Sequence, residues 1–416
     1  MIDLLCETFG IDGRVRAAAL DAQAQTQSLT YPAQARVKVR VLRAFLDEGV
    51  NESDLAGTTG YGYDDAARER YEALLARVLG AERVLARLSI VSGTQAIVTA
   101  LAACVAPGRR LIAAAGRPYD TLRNAICDAE YSLNAQGVVY QEIALRDDGA
   151  PDFEAIGAAA AQPDTAAVFV QRSRGYAPRP SLDVDACAQI TACVKRVAPH
   201  VVVLIDNCYG ELVEDREPTH AGADLIMGSL IKNLGGALAP GGGYVAGRAD
   251  LLERVSARLY APGLRGGIGP TFGFGRALMQ GLFIAPMIVE QTLRGLDFAA
   301  ALFLQLGFSV DPQPGAVRTD IVQAIGLRDA PRLMRFAAGL QAAMPLNARF
   351  RPEPGPVPGY VDPVVMSSGA FIGGATIELS CDAPLRAPFE VYLQGGIVAE
   401  HAMLGALLAA QAVMAE

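Results

Sequence analysis

Val201-Val-Val-Leu-Ile-Asp-Asn207, followed by Leu225-Ile-Met-Gly-Ser-Leu-Ile-Lys-Asn233, is the passage on which the fold turns. Each half is a short apolar run that ends on polar residues. Such runs, alternating with helical segments, are the mark of a parallel sheet covered on both faces. Similar runs precede them at Arg110–Ala114, Gly137–Ile143 and Ala166–Val170, and another follows at Gly243–Ala246. Between most of them lie helical stretches, Tyr119–Ala129, Phe153–Ala161 and Val184–Val197. Upstream, Tyr71, Leu74, Leu75, Val78 and Leu79 recur at helical spacing after Asp64 and Asp65, which are suited to cap it. Residues 57–290 therefore read as a large α/β domain, preceded by an arm of helices over 1–56.

The texture changes after about Ala277. A long apolar helix is expected through Phe283, Met287, Leu293, Phe298 and Leu302, ending near Gly307. A strand (Ile321–Ile325), a helix (Pro331–Ala343), a Pro-rich loop (Pro352–Pro358), extended pieces around Ala370–Leu379 and a last helix (Ala399–Ala415) follow. Residues 291–416 thus read as a smaller C-terminal α+β domain.

Composition narrows the function. The chain has 416 residues, a net charge of −8 and scattered basic residues, which offer nucleic acid or an anionic membrane no footprint. No apolar stretch approaches the roughly 20 residues of a membrane span. The opening, MIDLLCETFG, has no basic region ahead of an apolar one, so no secretory leader is expected. Seven dispersed cysteines without a CxxC pair suggest neither disulfides nor zinc, and fit a reducing cytoplasm. Three histidines, far apart, indicate no metal site, and no GxSxG elbow marks a serine hydrolase. A small-molecule substrate is the expected partner.

Four local signals carry chemistry. Ser92-Gly93-Thr94-Gln95 opens an apolar helix, where free N–H groups and the helix dipole favour an anion; an ordinary N-cap is the plainer alternative. Tyr119 heads the next helix. Asp206 ends a buried strand, where open α/β sheets place their ligands. Ser229 and Lys232 follow a strand and precede Gly235-Gly236, so Lys232 lies on no solvated amphipathic face. Pyridoxal 5′-phosphate needs this set: a cradle for its phosphate, a flat group against its ring, an acid for its pyridine nitrogen and a lysine for C4′. The order along the chain, cradle, stacker, acid, lysine, is that of the aspartate-aminotransferase-like fold type I. The 26 residues from Asp206 to Lys232 are typical of it.

The likeness extends to a family. Gly57-Thr-Thr-Gly-Tyr-Gly-Tyr63, IVSGTQA (90–96), RPYDTL (117–122), QRSRGY (171–176), IDNCYGE (205–211), GADLIMGSLIKN (222–233) and APGGGYVAGR (239–248) resemble the methionine γ-lyase-like, or aluminium-resistance, proteins. So do QGLFIAP (280–286), RTDIVQAI (318–325), GAFIGGATIELSCDAPLR (369–386) and VYLQGG (391–396), so the likeness covers nearly the whole chain. The resemblance implies a fold type I, pyridoxal-phosphate-dependent lyase working by γ-elimination on an amino acid that bears a thiolate, activated oxygen or halide leaving group. The alternatives on the same cofactor are a β-lyase, an aminotransferase and a biosynthetic enzyme that makes an unsaturated amino acid.

The resemblance also assigns roles. Lys232 would bond the cofactor and Asp206 its ring nitrogen. Ser92, Gly93, Thr94 and Ser229 would hold phosphate, and Tyr119 would stack. Tyr61 and Tyr63 would serve a neighbouring subunit's site in a dimer of dimers, with Gly269 and Thr271 near the phosphate, and Tyr63 or Tyr119 would be the general acid. This chain departs from the family at Gln95, usually His, and at Leu234, usually Pro. It also reads Ile377-Glu378-Leu379-Ser380 where better-known γ-lyases carry a carboxylate-binding arginine. Arg386, Arg174 and Arg172 are then the candidates for the substrate carboxylate, with Gln95 also facing substrate.

Overall fold

A computed structural model describes residues 1–415. Seven strands form the large sheet: β1 (Arg83–Arg87), β2 (Arg110–Ala113), β3 (Val139–Glu142), β4 (Thr165–Gln171), β5 (Val202–Asp206), β6 (Leu225–Ser229) and β7 (Gly243–Gly247). Their spatial order is β1-β7-β6-β5-β4-β2-β3. The pairs from β6 to β3 are parallel, whereas β7 runs antiparallel to both its neighbours. This is the mixed, mostly parallel sheet expected of fold type I.

Period-two burial explains where the sheet's polar tips point. In β4 and β5, Ala167, Phe169, Val202 and Leu204 pack on one face with Ile97 and Leu101 of helix Gly93–Cys104. Val168, Val170, Val203 and Ile205 pack on the other. Asp206 follows Leu204 by two and Ser229 follows Met227 by two, so both inherit the face of helix 93–104. Gly228 faces the opposite way, where an added Cβ would meet Glu211 Oε1 at 2.6 Å.

A second sheet of five antiparallel strands lies in the C-terminal part, in the order β10-β11-β12-β9-β8. Its members are β8 (Ser309–Asp311), β9 (Val322–Gly326), β10 (Val364–Ser368), β11 (Ser380–Pro384) and β12 (Glu390–Gln394). Helix Ala330–Gln341 packs on β10 and β11, and helix Ala399–Met414 packs against that helix and the long helix Gly275–Gln305. The long apolar helix runs from Gly275 to Gln305, and the expected boundary near residue 290 falls inside it.

Two expectations need correction. Residues 370–379 contain no strand: Glu378 turns inward and accepts the backbone N–H groups of Phe371 and Ile372, which folds the segment into turns. The helix at Tyr119–Ala129 is short, Asp120–Arg123, and passes into a wider turn over Asn124–Asp128. The edge strand β1, Arg-Val-Leu-Ala-Arg, has charged ends and too short an apolar run to be recognised. No helix among the described residues is long and apolar enough to cross a membrane.

Candidate active site

The C-terminal ends of β4, β5 and β6 and the start of helix 93–104 meet around a cavity of about 320 Å³. Ser92, Gly93, Thr94, Tyr119, Asp206, Ser229 and Lys232 all line it. Ser92 caps the helix, its Oγ accepting the N–H of Gln95 at 3.1 Å. The first-turn N–H groups of Gly93 and Thr94 have no partner within the helix and remain for a ligand. A Cβ on Gly93 would lie 3.3 Å from Cys208 Sγ and 3.5 Å from Ser229 Cβ, so glycine keeps the cradle open.

Tyr119 is fixed at both ends. Its hydroxyl is hydrogen-bonded to Thr94 Oγ1 at 2.7 Å, and its backbone N–H donates to Gln171 Oε1 at 2.8 Å. Burial and the Asp206 carboxylate push its phenol well above the usual range, so it stays protonated. Asp206 is also buried, which raises its carboxyl against the opposing pull of the Cys208 N–H at 3.1 Å and of Lys232. Lys232 Nζ lies 3.5 Å over the Tyr209 ring. Burial acts to lower its ammonium, but Tyr209, Cys208 and Asp206 outweigh burial and hold it above the usual lysine value. A lysine and a carboxylate thus share one enclosed space at the switch between sheet and loops.

The family description called methionine gamma-lyase matches residues 14–414. The chain belongs to that family. Among similar proteins of known structure, one from Clostridium acetobutylicum is provisionally named a cystathionine beta-lyase involved in aluminum resistance. It is 36% identical and superposes with a TM-score of 0.94, covering 99% of this chain and 98% of that one. A carbon-sulfur lyase involved in aluminum resistance from Clostridium novyi NT is 38% identical, with a TM-score of 0.91 and 98% coverage of both chains. The Bacillus subtilis protein YnbB is 41% identical over 366 residues, 87% of each chain.

Within this member of the methionine gamma-lyase family, the other anticipated residues lie elsewhere. Tyr61 and Tyr63 are exposed and line no part of their own chain's cavity. Thr271 is buried and tied to Asp65, whose carboxylate accepts the backbone N–H and hydroxyl of both Thr58 and Thr271 at 2.7–3.0 Å. Gly269 N–H donates to Tyr61 O, and Phe272 N–H to Thr58 O. The glycine-rich loop and residues 269–272 are therefore one unit. Gln95 accepts the Val91 N–H at 2.8 Å, which closes the cradle loop.

The arginines divide. Arg172 is wholly buried and braces Asn207 Oδ1 at 2.6 Å, Leu182 O at 3.2 Å and the carboxylate of Glu214, away from the cavity. Arg174, held by Asp311, and Arg386 line an adjoining cavity that shares Tyr119. Tyr209, Tyr176 and Tyr360, to which the sequence assigned no role, line the central cavity. Tyr209 stands three residues after Asp206, a spacing that could have flagged it. Tyr360 arrives on the Pro-rich loop and carried no such signal. Among the described residues, no His, Cys, Asp or Glu cluster is arranged to hold a metal.

Proposed function

We propose that this chain is a pyridoxal-phosphate-dependent carbon–sulfur lyase that eliminates the γ-substituent of an L-amino acid. Buried Lys232 in one cavity with Asp206 and the open N–H groups of helix 93–104 is the observation that carries it. The donor set fits the cofactor. Gly93, Thr94 and the Ser92 and Ser229 hydroxyls would take its phosphate, and Asp206 would keep its ring nitrogen protonated. Tyr119 would lie against the ring, and Lys232 would bond C4′. When bound, the cofactor supplies an electron sink for negative charge at the substrate's Cα.

The chain's own groups do the rest. Lys232, freed as the amine, takes the Cα proton and can carry the next one from Cβ. Tyr119, kept as a neutral phenol, is suited to protonate the departing sulfur. Arg386 holds the substrate carboxylate in place of the arginine that Glu378 replaces. A neighbouring copy completes the site with Tyr61 and Tyr63; Thr271, buried and bound to Asp65, anchors the loop that carries them instead of reaching the phosphate. Exposed Leu42 and Leu46 on one helix, and Phe283 and Met287 on the long one, support such an interface. The same reading divides the chain at about 57 and 290 and puts it in a reducing compartment.

Relatives named as carbon–sulfur and cystathionine beta-lyases favour β-elimination as the second reading. Borohydride reduction of the purified protein followed by peptide mapping should label Lys232; label on Lys195 or Lys38 refutes the assignment. The 2-oxo acid released from a thioether substrate then separates the readings. A four-carbon product supports γ-elimination, a three-carbon product β-elimination, and an exchanged amino group without thiol release an aminotransferase.

A further inference from the structure

A γ-elimination has a need that a β-elimination lacks. Once the substituent has left with its electron pair, the chain is unsaturated between Cβ and Cγ, and Cγ must gain a proton before a 2-oxo acid can form. After β-elimination the three-carbon enamine is released and takes its proton from water. Lys232 removes protons, and Tyr119, its hydroxyl tied to Thr94, serves the sulfur. A second acid is therefore needed at Cγ. Tyr176 lines the cavity with a carboxyl behind it. Gly175, at a φ of 59°, makes the turn that brings it there; a Cβ at that position would lie 2.9 Å from Gln171 Nε2. The Tyr176 ring is stacked on Tyr392 and tilted against Tyr360, with centroids 5.3 Å apart in each pair. Its hydroxyl is hydrogen-bonded to the carboxyl of Asp382. Asp382 on β11 stands opposite Tyr392 on β12, so the two share a face of the five-stranded sheet, and its Oδ2 accepts Gln394 Nε2 at 3.0 Å. Tyr209, with Lys232 over its ring, packs into the same cluster. Burial raises the Asp382 carboxyl, against the pull of Tyr176, Gln394 and Lys232. Burial and Asp382 hold the Tyr176 phenol well above its usual range, so it stays protonated.

We propose that Tyr176, backed by Asp382, is the acid that protonates Cγ once the γ-substituent has gone. The role rests on the γ-elimination reading. In this step the phenol O–H bond breaks, and a C–H bond forms at Cγ with the electron pair of the Cβ–Cγ double bond. Asp382 gives its own proton to the phenol oxygen as that oxygen is vacated, so the phenol is restored and the negative charge ends on the carboxylate. The Lys232 ammonium, formed by taking the Cβ proton, opposes that charge, and the enclosed site gains one charge of each sign. When product leaves, the ammonium gives its proton to water entering the cavity and the carboxylate takes one back. Tyr176 is the catalytic residue, and Asp382 is the positioning residue behind it.

The test compares S-ethylhomocysteine with S-ethylcysteine, which share a leaving group and differ in the carbon that bears it. Thiol and 2-oxo acid are measured separately in single turnovers of the holoenzyme. With Tyr176→Phe, thiol should still appear from S-ethylhomocysteine, while the four-carbon 2-oxo acid forms about 10²-fold more slowly. The three-carbon 2-oxo acid from S-ethylcysteine should be slowed at least about tenfold less. Asp382→Asn should show the same split more weakly, and Asp382→Glu should restore part of the rate. Without any substrate, the infrared difference between wild-type and Asp382→Asn holoenzyme at neutral pH should contain the C=O stretch of a neutral carboxyl. Equal losses on the two substrates, thiol and 2-oxo acid lost together, or carboxylate bands in place of that stretch overturn the proposal. The wild-type protein tests the underlying reading by itself: thiol from neither compound refutes the lyase, thiol from S-ethylcysteine alone refutes γ-elimination, and in both cases the role of Tyr176 at Cγ falls with it.

Discussion

Glu211 allows a quantitative test of how the sheet behind the lysine is built. It is wholly buried against Gly228, with Oε1 accepting the Tyr244 hydroxyl at 2.9 Å and Oε2 without a partner. Burial, more than any neighbour, pushes its carboxyl from 4.5 up to about 8; the Tyr244 hydrogen bond pulls the other way, as does Lys232. The folded protein therefore keeps Glu211 neutral at pH values where the unfolded chain ionises it. Stability associated with this group is complete below about pH 4.5 and is lost as pH rises to about 8. At ~1.4 kcal/mol per pH unit, the whole loss has a ceiling of roughly 5 kcal/mol. About 3 kcal/mol of it falls between pH 5.5 and 8.

Glu211→Gln keeps the shape and cannot ionise. Its thermal midpoint, measured beside wild type at equal cofactor loading, should gain on wild type by several degrees between pH 5.5 and 8. All other titrating groups are common to both proteins, so the difference between the two curves isolates Glu211. Parallel curves across that range would show that Glu211 is ionised in the fold and refute the reasoning.

Asp206→Asn should retain the cofactor yet lose about 10²–10³-fold in turnover, because an amide cannot hold the ring nitrogen protonated. Near-normal kcat would point to another group. Mixing inactive Lys232→Ala with inactive Tyr63→Phe chains should restore activity if sites are shared, since one site of a hybrid receives both intact residues. Hybrids that form and stay inactive place Tyr63 within its own subunit. Arg172→Met should cost about 1–3 kcal/mol in denaturant unfolding, by leaving buried Asn207 Oδ1 without its donor and part-buried Glu214 without its counter-charge. A loss of substrate affinity without loss of stability would return Arg172 to the substrate.

The parallel strands were legible because both of their faces are buried, which writes them as unbroken apolar runs: Val201–Ile205 and Leu225–Met227 lie within two residues of β5 and β6. Chemistry at their tips was legible for the same reason, since Asp206 and Lys232 stand out after such runs. β1 was not, because an edge strand with arginine ends has no such contrast. Tyr360 and the cluster around Arg386 escaped for another reason: three stretches far apart in sequence converge there, and only tertiary packing reveals it. Arg172 misled because a guanidinium that braces a carboxylate inside the protein reads like one waiting for a ligand.

The carboxylate of Asp65 makes one body of two stretches some 200 residues apart. Four donors on Thr58 and Thr271 converge on it, and Arg68 N–H adds a fifth at 2.9 Å. The exposed tyrosines at 61 and 63 are therefore presented on a stiffened platform. Whatever surface they meet gives up little conformational entropy in ordering that loop on contact. The same economy is a vulnerability. Asp65→Ala would release both stretches together, so a single side chain remote from Lys232 governs the shape of everything that this edge offers to another molecule.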